Sequence, residues 1–283
     1  MNDTSLDALL PPAMAAKAEQ VGVTKANMPL RRLVPLGILA GAFIALGANF
    51  ATVVTAGGGS APGVTRLLGG VVFSLGLILV VVSGAELFTG NTLIVVAFAG
   101  RKVTAVKLLR NWLVVYISNF VGAIATAALV VWSGQLKAGD GTVGARAQAI
   151  AETKGSLDFA QAVASAVLAN CLVCLAVWMT LSARTLVDKI VVIVPPIAAF
   201  VAAGFEHSIA NMYFFPVALL HDAWGSPATT ATSPTTEHVT WQHFFVDNLI
   251  PVTIGNIIGG AVLVGLVYWF VYLRGRAEAE GAT

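Results

Sequence analysis

The sequence is short of charge. Only 11% of its 283 residues are Asp, Glu, Lys or Arg, while 57% are hydrophobic; soluble domains carry roughly 25% charged residues. Water is therefore not the solvent for most of its surface. A net charge of +2, with no basic aromatic patch and no zinc-type spacing, excludes a nucleic-acid partner. Cysteine is scarce as well. Cys171 and Cys174 stand three apart in an apolar stretch, too few for a disulfide scaffold. With no His or carboxylate nearby they make no metal site, so packing is the expectation, and neither metal nor cofactor is implied. Residues 1–30 lack an apolar run of signal-peptide length and hold Asp3, Asp7, Glu19 and Pro11–Pro12 instead. Met14, Ala15, Ala16 and Ala18 suit a short helix, either lying on the membrane surface or capping the protein from the aqueous side.

Long apolar runs are what the chain has in plenty. A membrane helix needs about 20 mostly apolar residues, and six stretches qualify: 33–55, 67–99, 111–132, 159–181, 190–220 and 244–273. The second and fifth are too long, at roughly 45 to 50 Å as straight helices against a hydrocarbon core of about 30 Å. Each is interrupted by polar, glycine-containing sequence: Gly84-Ala85-Glu86-Leu87-Phe88-Thr89-Gly90-Asn91, and Gly204-Phe205-Glu206-His207-Ser208-Ile209-Ala210-Asn211. Tilt absorbs excess length but does not explain a Glu at bilayer depth in both. Non-helical backbone at that depth must be buried in protein or line a cavity. Both segments therefore read as broken helices.

With the N-terminus inside, twelve Lys and Arg fall on the cytoplasmic side and four (Arg66, Lys137, Arg146 and Lys154) on the outer side. This satisfies the positive-inside rule and puts both termini in the cytoplasm. The expected organisation is a cytoplasmic segment over 1–30, a pore domain over 31–275 and a tail over 276–283.

The interrupted segments share the spacing G-x-E-x-x-x-x-N. A second match joins the third and sixth spans: Asn111 and Asn119 followed by Gly122, and Asn248 and Asn256 followed by Gly259. Each match links spans three apart, so the chain reads as an inverted 3+3 repeat over about 31–133 and 159–273. Inverted repeats with discontinuous helices place the binding site near the midplane, where the copies meet. Transport follows, ahead of catalysis.

The strings GAELFTGN, NWLVVYISNFVGA, ANCLVCLAVWM, GFEHSIANMYFFP and NLIPVTIGNIIGG resemble the signature segments of the formate/nitrite transporter family, across nearly the whole chain. NLIPVTIGNIIGG and LLPPAMAAKAEQVGV are closer to its formate-channel branch. The resemblance implies an all-α, aquaporin-like six-helix protomer in the bacterial inner membrane, assembled as a homopentamer with one pore per subunit. It implies that His207 lies in the pore facing Thr89. It implies apolar constrictions at Leu87 and Phe200 toward the cytoplasm, and at Phe73, Leu77 and Val173 toward the periplasm. Lys154, Asn170, Glu206 and Asn256 match its other recurring polar positions, whereas Glu86 and Gly90 fall where the family varies and carry less weight.

Physical readings stand beside that resemblance. His207 is the one histidine of four at bilayer depth; His221, His238 and His243 fall in the long outer loop. An intramembrane imidazole either stabilises a desolvated anion and exchanges a proton with it, or stays neutral and locks the broken helix. Thr89, beside exposed helix-end amides, either donates to substrate or His207 or serves as an N-cap. Lys154 either concentrates anions at the mouth or is one more loop lysine. Glu206 would repel an anion if it faced the lumen, so it reads as turned away, orienting His207 or bonding freed backbone N–H groups. Asn170, Asn211 and Asn256 are expected to satisfy broken backbone.

The expected function is passage of formate, with nitrite, acetate or lactate also admitted: as anion outward, and with a proton inward at low pH. A nitrite or hydrosulfide channel of the same family is the alternative. An intramembrane enzyme is the distant rival, for H-E-x-x-H and G-x-S-x-G are both absent. Met1–Met28 is a candidate plug or site for a cytoplasmic partner.

Overall fold

The computed structural model describes residues 8–58, 61–224 and 237–275; the tail over 276–283 lies outside them. Among the described residues the chain forms ten helices besides a short 3-10 turn at Gln135–Lys137. They are α1 (Pro11–Ala26), α2 (Leu30–Thr55), α3 (Pro62–Ser83), α4 (Phe88–Ala99), α5 (Ala105–Trp132), α6 (Thr142–Gly155), α7 (Phe159–Thr180), α8 (Leu186–Ala203), α9 (Ser208–Trp224) and α10 (His243–Tyr272). Six of these, α2, α3, α5, α7, α8 and α10, are long and apolar enough to cross a membrane.

Local chemistry fixes where these helices start and stop. Asp158 and Gln161 form a reciprocal capping box at the start of α7, and Thr185 with Asp188 does the same for α8. Helices α3 and α8 end identically. Gly84 (φ +75°) and Gly204 (φ +77°) adopt the left-handed conformation that stops a helix. Three residues then run without helical structure before α4 and α9 begin at Phe88 and Ser208. At 22 residues α3 is about 33 Å long, so it crosses a hydrocarbon core by itself.

Helix α3 packs on α2 and on α8, and α8 packs on α7. Helix α4 lies among α1, α5, α7 and α10, while α9 lies among α6, α5, α2 and α10. The two short inserts are thus held in corresponding surroundings. The core between them is filled by Leu33, Ile44, Leu77, Ile193, Ile197, Met212, Tyr213 and Phe244, all nearly inaccessible. Outside, α5 exposes Val106, Leu113, Ile117, Leu129 and Trp132, an apolar jacket suited to lipid or to another subunit. Helix α1 is not free: Met14, Ala15 and Ala18 are buried against this body, and Lys17 Nζ donates to the Leu181 carbonyl at 2.8 Å.

Candidate functional site

His207 occupies the last residue of the non-helical stretch before α9 and is 2% exposed. Its hydrogen bonds assign its tautomer. The backbone N–H of Ala210 points at Nδ1 (3.1 Å), which must therefore accept. The neutral ring then carries its proton on Nε2, 2.9 Å from Thr89 Oγ1. With its oxygen accepting from the imidazole, the Thr89 hydroxyl keeps its own proton for another acceptor.

Thr89, fully buried, is held from behind. Its carbonyl accepts from Thr92 Oγ1 (2.7 Å), Cys174 Sγ (3.3 Å) and Asn170 Nδ2 (3.3 Å). Asn170 also donates to the Asn256 carbonyl at 2.6 Å, tying α7 to α10 at this level. Cys174 thus does more than fill space: it braces the residue that faces His207.

Two cavities flank the Thr89–His207 contact. One, of about 280 Å³, opens beside α6 and reaches Phe73, Phe200 and His207. The other, of about 260 Å³, opens beside α1 and reaches Leu77, Leu87 and Gly90. The expected constrictions regroup accordingly. Phe200 was assigned with Leu87, but its ring meets Phe73 edge to face, centroids 5.6 Å apart, and lies 5.9 Å from the His207 ring. Phe73 and Leu77, one turn apart on α3, line different cavities. Val173 is buried in the core and lines neither.

Each cavity ends on an ion pair between a buried carboxylate and a partly exposed lysine. Lys154 Nζ meets Glu206 Oε1 at 2.8 Å, their side chains 13% and 2% exposed. Lys25 Nζ meets Glu86 Oε1 at 2.7 Å, at 26% and 4%. The other oxygen of Glu206 accepts from Asn211 (2.7 Å) and Asn248 (3.2 Å), that of Glu86 from Asn91 (2.8 Å). Asn211 in turn donates to Asn248, and Asn91 to Asn111. Asn248 donates to the Lys154 carbonyl, and Asn111 to the Lys25 carbonyl. Asn256 receives the Ser208 N–H and donates to the carbonyls of Glu206 and Ala166. Asn119 receives the Phe88 N–H and donates to the carbonyls of Glu86 and Gly37. The two networks match in most of these bonds; they differ in that Asn248 also donates to Glu206, while Lys25 also donates to Asn91 Oδ1 at 3.1 Å.

Several sequence expectations change here. Glu206 does not take freed backbone N–H groups; its carboxylate neutralises Lys154, which therefore offers less net charge to the α6-side cavity than a bare lysine would. Asn211 bonds side chains rather than backbone. Glu86, set aside as variable, is the hub of the second network. Lys25 was missed altogether. A faint signal existed, since Thr24-Lys25 and Thr153-Lys154 end two short helices of similar sequence.

A family model described as "Formate/nitrite transporter" matches residues 12–270. The chain is 47% identical over 277 residues to the formate channel FocA of Escherichia coli (strain K12), covering 96% of this chain and 97% of that one. It is 40% identical to a probable formate transporter of Methanothermobacter thermautotrophicus, covering 93% and 97%. Among solved structures, a pentameric formate channel with formate bound superposes with a TM-score of 0.80 at 44% identity, covering 87% of this chain and 98% of that one. An FNT family ion channel gives 0.75 at 27%, covering 92% and 98%.

Proposed function

The chain belongs to the formate/nitrite transporter family, and from that premise we propose that it is a formate channel of the bacterial inner membrane. It works as a homopentamer with one pore per protomer and with both termini in the cytoplasm. It is a transport protein, not an enzyme. The observation that carries the proposal is the Thr89–His207 contact, a pair of hydrogen-bond donors between two cavities with apolar layers on either side.

The close correspondence of the two polar networks supports an inverted repeat with the second and fifth spans broken. It also extends the repeat to α1 and α6, which end on Lys25 and Lys154. With Lys17 and Lys25 both bonded into the pore body, α1 acts as a fixed cap of the cytoplasmic 1–30 segment, which speaks against a freely swinging plug. The exposed face of that segment is where a cytoplasmic partner would bind.

A small anion leaving either cavity must pass an apolar layer, Phe73 with Phe200 or Leu77 with Leu87, and shed water there. The Thr89 hydroxyl, whose oxygen already accepts the His207 Nε2–H, replaces part of that hydration. For the ring to become imidazolium, Nδ1 must release the Ala210 N–H. An arriving formate supplies the negative charge that favours this exchange. At low pH the imidazolium gives its proton to formate, neutral formic acid moves on, and the ring is reprotonated from the side of entry. At higher pH the anion passes alone. Nitrite matches formate in size and charge and should enter the same pore.

Planar bilayers carrying the purified protein, compared in formate, nitrite, chloride and acetate across pH, test both levels. Formate should carry current well above chloride; its failure to do so sinks the function. His207→Ala should flatten the pH dependence of formate flux, and an unchanged profile removes the proton-coupled step while leaving the channel.

A further inference from the structure

We propose that Arg66 and Arg146 form a carboxylate-binding antechamber in the α6-side cavity, where a planar monocarboxylate is captured before it reaches the Phe73–Phe200 layer. The inference rests on the channel function above and assigns the capture step to guanidinium groups, not to Lys154. Both arginines line the cavity whose inner end carries His207. Arg146 stands on α6, two turns before Lys154, and is half-buried. Its Nε donates to Thr55 Oγ1 at 3.1 Å, and that hydroxyl passes its own proton to the Ala51 carbonyl at 2.8 Å. The guanidinium is thereby held by one edge, and among the described residues its terminal amino groups have no hydrogen-bond partner. Arg66, in the first turns of α3, reaches over Gly204, with Nη2 3.5 Å from where a Cβ on that glycine would sit.

Neither guanidinium meets a carboxylate among the described residues. The one carboxylate lining the cavity, Glu206, is already shared by Lys154, Asn211 and Asn248. Three cations therefore face this space against one anion. Burial, with the neighbouring Arg66 charge adding to it, holds Arg146 below its usual range. Such an arrangement is relieved by an anion between them. A guanidinium offers a planar fork that matches both oxygens of a carboxylate, a geometry that a spherical halide cannot exploit and an ammonium cannot supply. The site thus favours carboxylates at the entrance, ahead of any discrimination at Thr89 and His207.

The test is sided electrophysiology in planar bilayers, titrating formate and then chloride from each mouth. Arg146→Gln and Arg66→Gln should each raise the half-saturating formate concentration at the α6-side mouth roughly tenfold, as expected for losing one charge-assisted bond, with little change from the other mouth. Chloride should respond much less, and Arg146→Lys should restore formate only in part. Thr55→Val, which frees Nε without touching the charge, should give an intermediate rise and serves if either glutamine variant does not assemble. An unchanged formate titration in all three variants overturns the proposal. So does an equal shift for chloride that lysine fully restores, since that describes diffuse charge and no fork. A wild-type protein without any formate current would instead remove the function on which the inference stands.

Discussion

Thr89 carries a division of labour that follows from one backbone N–H. Because Ala210 fixes Nδ1 of His207 as an acceptor, the imidazole must donate toward Thr89, and the hydroxyl proton is released for whatever occupies the pore. Thr89→Val keeps the volume and the buried contacts but deletes that donor. A hydrogen bond to a charged group contributes about 1.5–3 kcal/mol, so formate conductance should fall by roughly tenfold or more. Thr89→Ser should hold most of it. Single-channel recording of both variants decides the matter: equal conductance in Val and wild type would leave Thr89 a packing residue and nothing more, since the N-cap of α4 is Leu87. The same residue scale shows why sequence reading stopped where it did. His207 and Thr89 were legible because polar side chains in an apolar run are conspicuous. Lys25, Arg66 and Arg146 were not, since a basic residue near a span end looks the same whether it is solvated or reaches inward to Glu86 or into a cavity.

At the scale of elements, the half-helices α4 and α9 hang from one asparagine each. Asn119 and Asn256 both accept the first N–H of a restarting helix and donate to the carbonyl of the adjacent glutamate and to a neighbouring span. Both are fully buried. Substituting either by alanine strands two buried backbone groups, the first N–H of the restarting helix and the glutamate carbonyl, and removes a second bond to a helical carbonyl of the neighbouring span. Each unsatisfied buried group costs about 1–3 kcal/mol, so Asn119→Ala and Asn256→Ala should lower the melting temperature of the detergent-solubilised protein strongly and by similar amounts. A benign Asn119→Ala beside a severe Asn256→Ala would break the equivalence of the halves. The spacing of these asparagines was readable in the sequence, as was that of Glu86 and Glu206. Partner choice was not. Spacing tells that two residues repeat, not that one carboxylate will meet a lysine from a helix some fifty or sixty positions away. The regrouping of Phe73 with Phe200 has the same origin: the spacing on α3 does not say which of two side chains a turn apart meets the Phe200 ring.

For the molecule as a whole, α6 carries Lys154 to the cavity and, besides the Arg146–Thr55 bond, is tied to its surroundings at two further points. Gln148 bonds Asp222 and the Ala218 carbonyl on α9, and Glu152 takes both the N–H and Nδ1 of His238, at 3.0 and 2.6 Å, just ahead of α10. The Glu152 carboxylate raises the proton affinity of His238, with Glu237 adding to the effect. A histidine whose folded pKa lies above its unfolded value of about 6.5 stabilises the fold fully below that value. Its contribution disappears as pH rises through the elevated folded pKa. The clamp on α6 is therefore strongest in acid, the condition under which proton-coupled entry is proposed. Glu152→Gln should bring the His238 titration, followed by NMR of labelled imidazole, back to the ordinary histidine range. The same substitution should lower the melting temperature most below about pH 6.5 and less with each step upward. A stability gap that is flat with pH, or that widens in alkali, would mean that the contact is an uncharged hydrogen bond and that α6 is held by packing alone.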